Sequence, residues 1–211
     1  MTKPGIEKVV ALITRRSAGG TELLLFRHPY AGVQIPAGTV EEGEEVVQAA
    51  LREAAEESGL ENFSQAVQIG WQDQVVAENV RLTRRPARVY ARPDPGSFQW
   101  AAIRRGIQVT VERMAGRFAQ IRYEEADDLL NPQYTSYCIL GWAEQDDLTR
   151  NVRRYFFHLQ WEGESGREWQ AATDNHIFRP FWAALAALPE IIPPQQAWLD
   201  FVQGELRYRL E

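Results

Sequence analysis

The first apolar run, from Glu7 to Arg15, sets Val9, Val10, Ala11, Leu12 and Ile13 side by side. A short, nearly continuous run of this kind reads as a strand. Ser17 to Gly20 supplies a turn, and ELLLFRH from Glu22 to His28 a returning strand. The next stretch, PYAGVQIPAG, holds two prolines and two glycines and is expected as a loop. From Glu44 to Ser58 the spacing becomes helical, over about four turns. Gly59 then offers an easy left-handed C-cap.

Beyond the helix, AVQIGWQDQVV reads as a strand. VRLTRRPARVYARP predicts a further strand or an irregular pair, because Pro86 argues against an interior strand. In GIQVTVERMAGRFAQIRYEE, Ile107, Val109 and Val111 alternate before an MAGR turn, and Phe118, Ile121 and Tyr123 follow it, which is a hairpin pattern. VRRYFFHLQW from Val152 to Trp161 is a strong strand and HIFRPFW a weaker one. Gln195 to Gln203, with Trp198, Leu199 and Phe201, reads as a closing amphipathic helix. There is no internal repeat. The expectation is an α/β fold in one domain, residues 1–211, with an inserted or extended region at about 76–150. Its hairpin, residues 103–123, would extend over a cleft or across a homodimer interface.

Composition excludes several classes. Hydrophobic residues make up 45% and charged residues 25%, ordinary for a folded domain and not for a disordered one. The start, MTKPGIEKVV, shows no secretion signal, and WAALAALPEIIPP is broken by Glu190 and prolines, so a cytoplasmic protein without a membrane partner is expected. The single cysteine, Cys138, excludes an internal disulfide; its place in YTSYCILGW suggests a half-buried strand residue. RLTRRPAR, Arg81 to Arg88, is locally basic, but no broad basic stripe suggests stable nucleic-acid binding.

Charge matters more by its distribution. The net charge is -6, and Gly38 to Leu60 alone carries seven glutamates against one arginine. At about 100° per residue, Glu53, Glu56 and Glu57 share one narrow helix face. Like charges at that spacing destabilise a helix unless cations lie against them. Hard Mg²⁺ accepts carboxylate and water oxygens and binds phosphates at the same time. The neighbouring face, with Val47, Ala50, Leu51 and Ala54, can bury on a sheet. Gly38 can bring its carbonyl close to a metal, Glu44 lies near the helix N-terminus, and Arg52 is placed to pair with a neighbouring carboxylate.

GTVEEGEEVVQAALREAAEESGL, Gly38 to Leu60, resembles the Nudix box. Gly38 is followed after five residues by Glu44, after seven more by Arg52-Glu53, then by an apolar residue, any residue, Glu56-Glu57, any residue, Gly59 and an apolar residue. All seven residue-specific positions match, with Ala54 smaller than the usual aliphatic. A chance match at one given start is about one in 10⁸. The box spans 23 residues; the preceding strands, QIPAG and the closing QQAWLDF helix extend the likeness loosely over the chain.

The resemblance implies a Nudix α/β/α sandwich around a mixed sheet, with an enlarged middle region. It implies a pyrophosphohydrolase in which the Gly38 carbonyl and Glu53, Glu56 and Glu57 hold Mg²⁺, or Mn²⁺ as the alternative, while Glu44, Arg52 and Gly59 shape the loop and helix. The catalytic base is one of Glu53, Glu56 and Glu57, or a loop carboxylate such as Glu124, Glu125 or Glu168. Arg27 is a candidate phosphate contact, and Trp71, Tyr123, Tyr134 and Trp142 are candidates to stack on a nucleobase. His28 and His158 suit structural positions, and His176 has no ligand-spaced partner for zinc.

The expected partner is a small nucleotide-derived substrate. QIPAGTVEEGE is similar to the corresponding segment of many ADP-ribose pyrophosphatases, which points to a nucleoside diphosphate linked to another group. The proline those enzymes carry downstream would fall near Val76 and is absent. A (d)NTP or dinucleoside polyphosphate hydrolase, or an inactive nucleotide sensor, therefore stays open.

Overall fold

A computed structural model describes residues 5–28, 31–127, 132–173 and 176–210. In chain order the elements are β1 (Ile6–Ser17), β2 (Gly20–His28), β3 (Gly32–Gln34), β4 (Ala37–Thr39), α1 (Val46–Ser58) and β5 (Gln65–Val75). There follow β6 (Val80–Thr83), β7 (Ala87–Tyr90), β8 (Gln99–Ile103), β9 (Gln108–Ala115), β10 (Phe118–Ala126), β11 (Thr135–Glu144) and β12 (Leu148–Thr149). The chain closes with β13 (Asn151–Gln160), β14 (Ala171–Thr173), β15 (His176–Ala184) and α2 (Pro193–Leu210).

These elements fall into two compact units: Lys8–Gln72 with Arg154–Glu211, and Met1–Glu7 with Asp73–Arg153. The stretch from Asp73 to Arg153 falls in the second of these units.

In the first unit an eight-stranded sheet runs β14-β15-β2-β1-β13-β5, with β3 joined to β2 and β4 to β1. Its apolar run is covered on both faces. Along β1, Val9, Ala11 and Ile13 belong to the core under α1, with Ala49, Ala50 and Ala54 of that helix. Val10 and Leu12 belong to the core under α2, with Leu199, Val202 and Leu206. β13 divides likewise, Phe157 and Leu159 towards α1 and Phe156 towards α2. Leu12 and Ile13 are at most 1% exposed, and full burial of such a side chain is worth about 1.5–3 kcal/mol. This is the α/β/α arrangement expected. The loop before α1 is more regular than its glycines and prolines suggested, because β3 and β4 pair with the long strands.

In the second unit a seven-stranded antiparallel sheet runs β12-β6-β9-β10-β11-β7-β8. Pro86 lies between β6 and β7, so the ambiguous segment resolves into two short strands. The hairpin β9–β10 turns at Gly116 (φ 56°) and occupies the middle of this sheet, flanked by β6 and β11. Val89, Val109, Ala119, Ile121 and Ile139 form its core. Cys138 lies on a strand as expected but is exposed, not half-buried. The adjacent residue Ile139 takes the inward position, and alternation turns Cys138 out. Among the described residues no helix is long and apolar enough to cross a membrane.

Candidate active site

Helix α1 is fixed before its acidic face is considered. Ala49, Ala50, Ala54 and Ser58 are buried, so the small residue at 54 lets the helix sit close on the sheet. Gly59 takes the left-handed conformation (φ 71°) and its N–H returns to the Ala55 carbonyl at 2.7 Å. The Trp169 indole donates to the Ser58 carbonyl at 2.6 Å, satisfying another group at the helix end.

The strand β4 brings Gly38 against the helix. A Cβ at this position would lie 1.9 Å from the Glu53 carboxyl carbon. A side chain here would require the Glu53 carboxylate to move aside. The loop is held from both helices. Glu57 accepts the Ala37 N–H at 2.9 Å, and the buried Gln195 of α2 accepts the Ile35 N–H. The Pro36 carbonyl accepts from Ala11 N–H at 2.8 Å.

Arg52 is the electrostatic centre. Its guanidinium donates to both oxygens of Glu44 at 2.9 and 3.0 Å, to Glu53 at 2.9 Å, to Glu56 at 3.2 Å and to the Thr39 carbonyl at 3.1 Å. Glu44 also accepts the Glu41 N–H at 2.9 Å. The Arg52 hydrogen bonds hold the Glu44 carboxyl below its ordinary range, partly opposed by burial. Glu53 moves the other way: burial raises it, Arg52 opposes, and Glu56 and Glu44 raise it further. Glu53 is 13% exposed and Glu56 48%, so one carboxylate is enclosed while its neighbour opens to solvent.

Among the described residues, no three His, Cys, Asp or Glu side chains converge closely enough to hold a metal ion. Arg52 bridges Glu53 and Glu56, while Glu57 turns to the Ala37 backbone. The donor chemistry nevertheless fits a hard divalent cation: carboxylate oxygens on one helix, and a glycine backbone pressed against one of them.

The model of the family described as NUDIX domain matches residues 6–101. The chain is similar to that family over these residues. Of solved structures, the Nudix domain of Shewanella oneidensis NrtR, complexed with ADP ribose, superposes with a TM-score of 0.50 at 13% identity, covering 99% of this chain and 90% of that one. A Nudix hydrolase from Nitrosomonas europaea gives 0.47 at 16% identity, covering 99% and 92%. The Ap4A hydrolase of Caenorhabditis elegans, C. elegans, gives 0.40 at 14% identity, covering 99% and 100%. Of these three only the NrtR domain reaches a TM-score that bears on the fold. No curated relative matches the chain at a significant level.

The remaining candidates are divided between the two units. Arg27 is exposed over the Phe181 ring at 4.3 Å. Alternation along β2 puts it on the same side as Leu23 and Leu25, which face α2. Trp71, on β5, is 51% exposed. Glu168, also in the first unit, is exposed and forms a lone bridge with Phe181. Tyr123, Tyr134, Trp142, Glu124 and Glu125 belong to the second unit. Tyr123 donates to Glu125, and burial first, then that bond, pushes its phenol up to about 12. Trp142 is a core residue with Tyr90 and Phe118, not a free stacking platform, whereas Tyr134 is exposed. Glu124 accepts from Arg122 at 3.0 Å. His28 packs near Phe178 with ring centroids 5.4 Å apart. His158 is buried, its Nε2 2.7 Å from Thr14 Oγ1. The side chain of His176 falls outside the described residues.

Two positioning residues escaped the sequence reading. Gln195 was visible only as part of a polar helix face, and Trp169 only as one ring among many; both act on backbone far away in sequence.

Proposed function

We propose that this protein is a divalent-metal-dependent Nudix hydrolase that splits the diphosphate bridge of a nucleoside diphosphate joined to a second moiety, with ADP-ribose or another ADP-sugar as the leading choice. The observation that carries the reading is the contact of the Glu53 carboxylate with the side-chain-free backbone of Gly38, beside Glu56. A carboxylate enclosed against backbone and next to a second, open carboxylate is a place to concentrate positive charge on a phosphate.

Gly38, Glu53 and Glu56 would hold Mg²⁺ or Mn²⁺. When bound, the ion polarises phosphate oxygens and lowers the pKa of attacking water. Glu57 and Gln195 hold the Gly38 loop in place. Arg52 restrains the carboxylates through its hydrogen bonds to Glu44, Glu53 and Glu56. The base that receives the proton from water is a carboxylate of this face, with Glu56 the most open to solvent.

The substrate choice rests on the likeness of QIPAGTVEEGE to ADP-ribose pyrophosphatases. The NrtR domain complexed with ADP ribose is a further reason to place that compound first in the assay. Purified protein is incubated with Mg²⁺ or Mn²⁺ and ADP-ribose, NADH, diadenosine polyphosphates or single (d)NTPs, with products identified by mass. AMP plus ribose 5-phosphate from ADP-ribose supports the proposal. A nucleoside monophosphate plus pyrophosphate, formed selectively from one NTP, overturns the substrate choice. Binding without product at any metal concentration identifies a sensor.

A further inference from the structure

The second unit holds a feature that diphosphate hydrolysis does not use. A cavity of about 340 Å³ lies within residues 75–151, lined by Val75, Arg81, Met114, Leu148, Thr149 and Arg150, among others. Its volume is at the lower end for sites that enclose small organic ligands. Two guanidiniums share it. Arg81 donates to the Glu78 and Val80 carbonyls, both at 2.7 Å. Arg150 donates to the Val76 carbonyl through two nitrogens, at 2.9 and 3.2 Å, and its own carbonyl accepts the Val76 N–H at 2.9 Å. Backbone carbonyls thus aim both side chains and leave each with further N–H groups.

Among the described residues neither arginine forms an ion pair with a carboxylate. Burial, and after it the charge of Arg150, lowers the pKa of Arg81, and Glu78 offsets only part of this. In a chain of net charge -6, two like charges held together in a partly enclosed space are costly unless an anion comes to them. Beside them the Thr149 hydroxyl accepts the Asn151 N–H at 3.1 Å, leaving its own proton to donate. The lining is also apolar in part: Val75 and Met114 are 63% and 48% exposed, and Leu148 is buried. The cavity lining therefore combines forked cations and a hydroxyl with apolar side chains.

We propose that this cavity is a second, non-catalytic binding site for a phosphate monoester with an apolar or ring-bearing body, of the nucleoside monophosphate class. The phosphate sits between Arg81 and Arg150, each guanidinium donating to it as a fork, and the body lies against Val75, Met114 and Leu148. The site is independent of the Nudix helix and does not rest on the hydrolase reading.

The chain has two methionines, Met1 and Met114, so a ¹³C-methyl methionine spectrum of the full-length protein reports on the cavity directly. AMP, adenosine, ribose 5-phosphate and inorganic phosphate are titrated separately. The expected result is a saturable shift of the Met114 methyl with AMP, and at least tenfold weaker binding of both adenosine and inorganic phosphate. Arg81→Gln and Arg150→Gln should each weaken AMP by at least about tenfold. Where a variant fails to fold, the wild type still answers: affinity should rise between pH 5 and pH 7 as the ester takes its second charge, with pKa about 6. A Met114 methyl unmoved by AMP up to about 10 mM overturns the site. Adenosine binding as well as AMP, or an affinity indifferent to pH, removes the role of the arginines. Inorganic phosphate binding as well as AMP removes the role of the apolar side chains.

Discussion

Replacing Arg52 by alanine removes five hydrogen bonds at once and strands two enclosed carboxylates. Glu44 and Glu53 are 16% and 13% exposed, so neither is fully compensated by water once the guanidinium is gone. Breaking a fully buried ion pair by deleting one partner costs about 3–5 kcal/mol, and an exposed pair is worth about 0–1 kcal/mol. Arg52 itself is 25% exposed, which puts this case between the limits, at about 2 kcal/mol. For a chain of this size the melting temperature should fall by about 4–8 °C. The assay is thermal unfolding by circular dichroism in EDTA and again in excess Mg²⁺. Cations against Glu53 and Glu56 take over part of the lost compensation, so the deficit should narrow in Mg²⁺. Acid should narrow it too. Glu44 is held below its ordinary value of 4.5, so its pair with Arg52 stabilises the fold above that value and loses its contribution as pH falls through the lower folded one. A drop in EDTA of under about 1 °C would refute the claim that Arg52 holds this face together.

Other substitutions separate stability from chemistry. Glu53→Gln should abolish turnover yet raise the melting temperature in EDTA. A carboxyl whose folded pKa is raised disfavours the folded state as pH climbs from 4.5 through the folded value, and the amide removes that cost; a lower melting temperature in EDTA contradicts the enclosed-charge account. Gly38→Ala should leave the circular dichroism spectrum intact while cutting turnover by about 10², because Glu53 must move aside; unaltered kinetics would mean that this approach is irrelevant to catalysis. Gln195→Ala leaves the Ile35 N–H without its acceptor and should cost about 1–3 kcal/mol, read by urea denaturation; no loss of stability would show that the loop is not held from α2.

The parts of this molecule legible in sequence are those set by local spacing. The box residues lie within β4, one loop and one helix, and periodicity alone puts Glu53 and Glu56 on a face beside that of Ala50 and Ala54. The uninterrupted run Val9 to Ile13 announced a strand, and its two faces are buried under α1 and α2. What escaped depends on distant partners. Glu57 looks equivalent to Glu56 in the helix, yet one of its oxygens accepts the Ala37 N–H, because β4 pairs with β1 and arrives beside it. Trp142 has the aromatic character of a binding ring and is consumed by packing against Tyr90 and Phe118. The second sheet joins β6 to β9 and β11 to β7, and no local pattern in RLTRRPAR or YTSYCILGW states those partners.

The central claim is that the acidic face of α1 runs a metal-dependent cleavage of a phosphorus anhydride. Turnover of ADP-ribose is measured by mass against Mg²⁺ and Mn²⁺ concentration for the wild type, Glu56→Gln and Glu57→Gln, with folding checked in parallel. The account predicts no product in EDTA, saturable activation by the cation, and a large loss of turnover in both folded variants, through a cation donor in Glu56 and through the Gly38 loop in Glu57. Wild-type rates in both variants, or undiminished turnover in EDTA, would contradict it.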